Sequence, residues 1–223
     1  QISSRKEMNK AAGSVKRILC YGDSNTFGLI PASADRYPES IRWTSRLQKD
    51  LGDDYLVFEE GRCGRTTCFE DLRRPGLNGL AVLPSVLRTY QTLDYTVIML
   101  GTNDCKSAYH AKIEMLTDAI SRMAGIIRER DSQCRIIIMS PAPLADDVAL
   151  LDKEFDDTSA RFSQRLRIAY RILCSTNGYH FLDAGMFGSA SPLDGQHLEA
   201  GSHRNLALIL ADCIRRDANT AAL

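Results

Sequence analysis

Apolar positions along this chain gather into five short runs that are β-branched or aromatic and end in turn residues. They cover Val15–Tyr21, Tyr55–Glu59, Tyr95–Leu100, Arg135–Ser140 and His180–Leu182, and their length and composition predict strands. Between them the spacing becomes helical, over about Ser40–Leu51, Leu80–Tyr90, Lys112–Arg130, Thr158–Ser175 and Glu199–Arg216. In the last stretch Leu206, Ile209, Leu210, Cys213 and Ile214 fall on one helix face. Strands alternating with helices predict an α/β fold, a parallel sheet with helices on both faces. Ile18-Leu19, Val97 to Leu100 and Ile136 to Met139 are almost continuously apolar, as strands buried on both sides are. The chain reads as one domain over residues 15–217, with a polar extension at 1–14 and a tail at 218–223. Pro141-Ala142-Pro143 and the charged stretch Ala145–Asp157 read as a long loop after the fourth strand.

This pattern gives position a meaning, because ligands of open parallel sheets bind beyond the carboxyl ends of the strands. Ser24 in Gly22-Asp23-Ser24-Asn25 follows the first strand, Gly64 the second, and Asn103 in Gly101-Thr102-Asn103-Asp104 the third. Asp194-Gly195-Gln196-His197 comes after the fifth. A serine hydroxyl needs a base to become a nucleophile, and His197 is the candidate base, with Asp194 to orient it. Gly64 and Asn103 are candidate oxyanion donors, with the Ser24 backbone N–H as a third: glycine lets its N–H approach closely, and the asparagine amide donates without charge. Each segment alone also reads as an ordinary cap or turn; it is their placement on one rim that favours chemistry. His203 lies on the last predicted helix and reads as a packing or capping residue, and His110 and His180 read as structural.

Composition removes other classes. Lys plus Arg and Asp plus Glu are 28 each in 223 residues, so no basic stripe points to nucleic acid. No apolar run is long enough to cross a bilayer, and no His/Asp/Glu cluster has metal-ligand spacing. The polar start lacks a signal-peptide core, which gives a cytoplasmic expectation; whether Met8 is the start or Gln1 follows a removed segment stays open. Seven cysteines without paired short spacing read as small buried hydrophobes in a reducing compartment. Cys63 and Cys105 flank the candidate site.

Gly22-Asp23-Ser24, Gly64, Gly101-x-Asn103-Asp104 and Asp194-x-x-His197 resemble the four blocks of the SGNH (GDSL-type) hydrolases, from about Lys16 to Arg216. The resemblance implies a flavodoxin-like three-layer α/β/α sandwich with a five-stranded parallel sheet, a Ser24–His197–Asp194 triad and no cofactor. Arg42-Trp43-Thr44, Glu59-Glu60-Gly61, Arg65-Thr66-Thr67 and Leu77-Asn78-Gly79 are similar to the bacterial arylesterase/acyltransferase branch. That branch implies hydrolysis of small acyl or aryl esters, transfer of the acyl group to alcohols, and a homo-oligomer. Two positions depart from the wider family: Glu60 stands where an asparagine is common, and the loop Ala145–Asp157 is acidic. Trp43 reads as helix packing or as a wall of the acyl pocket. The rival functions are a carbohydrate O-deacetylase and a catalytically silent binding module on the same fold.

Overall fold

The computed structural model describes residues 13–221. Five strands, β1 (Lys16–Gly22), β2 (Tyr55–Gly61), β3 (Tyr95–Met99), β4 (Arg135–Ser140) and β5 (His180–Asp183), form one parallel sheet in the order β2-β1-β3-β4-β5. Around it lie α1 (Ser24–Phe27), α2 (Trp43–Leu51), α3 (Gly79–Leu87), α4 (Ile113–Arg130), α5 (Val148–Leu151), α6 (Ser159–Asn177) and α7 (Ala200–Ala221). This is the predicted α/β/α sandwich, and its strand order is that of flavodoxin-like folds.

Alternate side chains of the central strands feed two separate cores. Leu19 and Tyr21 of β1, Ile98 of β3 and Ile136 and Ile138 of β4 pack against α3, α4 and α6 through Leu83, Leu116, Ile120, Met123, Leu166 and Tyr170. Ile18, Cys20, Val97, Met99, Ile137 and Met139 face α2 and α7 through Trp43, Leu47, Leu206, Leu210 and Ile214. All these side chains are almost wholly removed from water, which explains why the strand runs are apolar rather than alternating. Trp43 is fully buried in the second core, so it packs and does not line an open pocket.

Several boundaries differ from expectation. The predicted helix over Leu80–Tyr90 ends at Leu87. The predicted last helix continues past Arg216 to Ala221, taking in the start of the expected tail; residues 222 and 223, like most of the expected N-terminal extension, lie outside the described residues. Inside the expected long loop, Val148–Leu151 forms the single helical turn α5, too short to leave a periodic signature. Among the described residues no helix is long and apolar enough to cross a membrane.

The register decides where chemistry can sit. Gly22 at the end of β1 lies level with Gly61 of β2 and Met99 of β3. The chain winds from β1 outward to β2 and then returns to β3 on the other side. The resulting crevice between the exits of β1 and β3 is the switch point at which such sheets hold ligands.

Candidate active site

Ser24 leaves β1 by way of a short cap. The Asp23 carboxylate accepts the Asn25 N–H at 2.9 Å and so caps α1. Because Asp23 does the capping, the Ser24 hydroxyl is not spent on it. Gly22 permits this sharp exit, since a Cβ there would collide with the Thr26 side chain. Burial pushes the Asp23 carboxyl up to about 6, against the opposing pull of the Asn25 N–H, His197 and Arg65.

Ser24 Oγ lies 2.9 Å from His197 Nε2, and His197 Nδ1 lies 2.7 Å from Asp194 Oδ2. The ring and the carboxylate are each mostly buried, 13% and 14% exposed. Asp194 Oδ1 accepts the backbone N–H groups of Gln196 (3.0 Å) and His197 (2.9 Å), and Oδ2 accepts that of Ala32 (2.8 Å). Burial pushes this carboxyl up, but the hydrogen bonds from the His197 ring and from these backbone N–H groups outweigh it and hold it far below the usual carboxylate range. An ionised Asp194 on Nδ1 fixes the ring's proton there and leaves Nε2 as an acceptor for the Ser24 proton. The residues brought together are 173 positions apart in the chain.

The two other candidates are joined on the facing side. Asn103 opens a one-turn 3₁₀ helix after β3, and its Nδ2 donates one proton to the Arg65 carbonyl at 3.1 Å. A side-chain amide has two such protons, so one stays available. Gly64 has φ +85°, and a Cβ on it would lie 2.9 Å from Leu77 and 3.0 Å from Arg74; both the backbone and the space call for glycine. The N–H groups of Ser24 and Gly64 have no acceptor among the described residues.

Two buried residues that hold this half were visible in the sequence only as parts of motifs. Asp104, fully buried, accepts the Thr67 N–H at 3.0 Å and the Thr67 hydroxyl at 2.5 Å. With the Asn103–Arg65 bond, this gives two fastenings between the turn after β2 and the turn after β3. Burial lifts the Asp104 carboxyl to about 6, opposed by those Thr67 bonds. Arg65, 3% exposed, donates through Nη1 to the carbonyls of Gly22 (3.1 Å) and Glu60 (2.6 Å), and its guanidinium stacks 4.2 Å from the Tyr21 ring centre. It ties the ends of β1 and β2 together beneath the site. Glu60, the departure from the wider family pattern, turns its carboxylate to the Tyr90 hydroxyl at 2.5 Å. Nothing in sequence spacing signals these pairings, which depend on which strand ends become neighbours.

Two of the remaining histidines, His203 and His180, have defined structural partners. His203 Nδ1 accepts the Trp43 N–H at 3.1 Å at the start of α2, and burial, helped by Arg42, pushes its pKa down to about 4. It is a neutral cap, as its helical position predicts. His180 pairs with Asp217 at 3.1 Å, at the opposite end of the sheet. The acidic stretch packs onto the His197 loop: Ala145 N–H donates to the Gly195 carbonyl (2.9 Å) and Gln196 Nε2 to Asp152 (2.9 Å). Leu151, Asp152 and Lys153 join Ala32, Ser33 and Gln196 in lining an open cleft that reaches His197. Among the described residues no three His, Cys, Asp or Glu side chains are grouped to hold a metal ion, and all seven cysteines are free.

A family model for GDSL-like lipases and acylhydrolases matches residues 20–207. The chain belongs to this family. Its fold is that of SGNH hydrolases, and it is an esterase-type hydrolase acting on esters. The aryl esterase of M. smegmatis is 33% identical, with 90% of this chain and 99% of that one covered at a TM-score of 0.83. The carbohydrate acetylesterase Est24 of Sinorhizobium meliloti is 31% identical over 90% of this chain and 99% of its own, again at 0.83. A lipase/acylhydrolase of Enterococcus faecalis, at 17% identity and a TM-score of 0.67 over 91% and 96% of the two chains, shares the fold. No curated protein matches the sequence.

Proposed function

We propose that this GDSL-family hydrolase cleaves small carboxylic esters through an acyl-enzyme on Ser24. The observation that carries this reading is the run of contacts from Ser24 Oγ through His197 to Asp194, 2.9 and 2.7 Å long. Ser24 Oγ attacks the ester carbonyl as its proton moves to His197 Nε2. The negative charge that develops on the carbonyl oxygen is met by the N–H groups of Ser24 and Gly64 and by the second amide proton of Asn103. His197 then gives its proton to the leaving oxygen, and the alcohol departs. In the second half His197 takes a proton from water, which attacks the acyl carbon; as the acyl–Ser24 bond breaks and the acid leaves, that proton passes from His197 to Ser24 Oγ and restores the hydroxyl.

The cleft beside His197 is open and carries Ser33, Asp152, Lys153 and Gln196, so water reaches the acyl-enzyme. This favours hydrolysis over transfer to an alcohol. It also supports a polar leaving group as readily as an aromatic one, and the similar proteins include both an aryl esterase and a carbohydrate acetylesterase. Fluorophosphonate labelling is the direct test. Wild type should be modified on Ser24 and should hydrolyse p-nitrophenyl acetate, and Ser24→Ala should do neither. A wild type that is not labelled would leave the silent-module reading standing. Rates on aryl acetates and butyrates, set beside acetylated sugars and repeated with added alcohol, identify the ester and the acceptor.

A further inference from the structure

Asn25, immediately after Ser24, is only 5% exposed. Its side-chain amide makes two hydrogen bonds to the loop carrying His197. Nδ2 donates to the Gln196 carbonyl at 3.1 Å, and Oδ1 accepts the Leu198 N–H at 3.0 Å. These two backbone groups flank His197. A side-chain amide has one donor face and one acceptor face, so it pairs with them much as a neighbouring strand would. From the other side, the N–H of His197 donates to Asp194 Oδ1 at 2.9 Å and its carbonyl accepts the Ser191 N–H at 2.8 Å. The backbone around His197 is held from both directions. Asn25 is anchored in turn: its N–H donates to Asp23, and its carbonyl accepts Trp43 Nε1 at 3.0 Å.

The geometry points to Asn25 as a positioning residue that sets the Ser24–His197 distance by bracketing the His197 backbone. This rests on the esterase reading above. The bracket runs directly from the nucleophile's neighbour to the base's two neighbours. A leucine of similar size would leave the Gln196 carbonyl and the Leu198 N–H buried without partners. A displacement of about 1 Å in such a site is enough to cost about 10²-fold in rate.

Asn25→Asp tests the bracket through pH. An ionised carboxylate only accepts, so one oxygen would oppose the Gln196 carbonyl. A protonated carboxyl has one O–H and one C=O and restores the pattern of the amide. Burial beside a carbonyl favours the protonated form in the acid range. The kcat of Asn25→Asp, per fluorophosphonate-titrated site and divided by that of wild type, should lie within about 3-fold of one near pH 5 and fall by about 10²-fold near pH 8, with KM little changed. Asn25→Ala offers neither group and should show the loss at both pH values. A ratio for Asn25→Asp that is as low near pH 5 as near pH 8 would overturn the bracket. So would an Asn25→Ala enzyme whose kcat per titrated site stays within about 3-fold of wild type. A wild type that neither labels nor turns over would instead remove the esterase reading, and the positioning role with it.

Discussion

The molecule carries two histidine–aspartate pairs, at opposite ends of the same sheet. At the carboxyl end, His197 and Asp194 are 2.7 Å apart; at the amino end, His180 and Asp217 are 3.1 Å apart. Pairing alone does not distinguish them, but their surroundings do. His197 is mostly buried, and its second ring nitrogen meets the Ser24 hydroxyl. His180 is 42% exposed. Asp217 also accepts from the Tyr95 hydroxyl at 2.7 Å and pairs with Arg135. One carboxylate is devoted to one imidazole, with three backbone N–H groups fixing it. The other is shared among three partners and fastens α7 to β3, β4 and β5. What sets the pair at the carboxyl end apart is the Ser24 hydroxyl on its second ring nitrogen, the geometry on which the proposed acyl-enzyme chemistry rests.

Exchanging the same residues at both ends should separate the pairs by the widest margin. His197→Ala is expected to lower kcat/KM on a short aryl ester by at least about 10⁴-fold, whereas His180→Ala should leave it within about 2-fold. Equal losses would erase the distinction. Asp194→Asn comes next, with a loss of about 10³–10⁴-fold, because the amide can hold the ring in the wrong tautomer. Asn103→Ala removes what the distal pair lacks, and steady-state assays should show kcat down by about 10²–10³-fold. Asp217→Asn should spare activity and instead lower unfolding stability by about 1–2 kcal/mol in urea titrations, through weakened bonds to Tyr95 and Arg135.

Most of the fold was legible because burial on both sheet faces forces near-continuous apolar strands, and helices betray themselves by their faces. The rim was legible too, since a parallel sheet puts every strand exit that follows a helix crossover at one end. What could not be read were the partners. Asp104 and Thr67 are 37 positions apart, and Arg65 and Gly22 are 43 apart; such buried polar pairs follow from strand order and register. Trp43 carried two readings because an indole suits a core and a pocket wall equally, and only its complete burial against α7 separates them. Asn25 lay beside the Ser24 motif without a signal of its own, since the partners of its side chain begin 171 residues later.

Acid stability, too, divides the two ends. Asp217 is held below the usual carboxylate range: burial raises it, but the bonds from Tyr95 and Arg135 prevail. Its contribution is therefore present above the unfolded pKa and is lost as pH falls through the lower folded value. Asp23, at the carboxyl end, has the opposite sign. It is fully buried, one carboxylate oxygen has no partner, and its pKa is lifted to about 6. The folded state then binds a proton more tightly than the unfolded chain does, so Asp23 costs stability as pH rises from about 4 to 6, and the cost persists above that. Asparagine keeps the oxygen that caps α1 and cannot ionise. Measured by urea unfolding, Asp23→Asn should gain about 1–3 kcal/mol relative to wild type between pH 4 and pH 8. Asp217→Asn should move the other way, losing more at pH 8 than at pH 4. If the two variants follow parallel pH curves, the ends of the sheet do not differ in the way their carboxylates are buried.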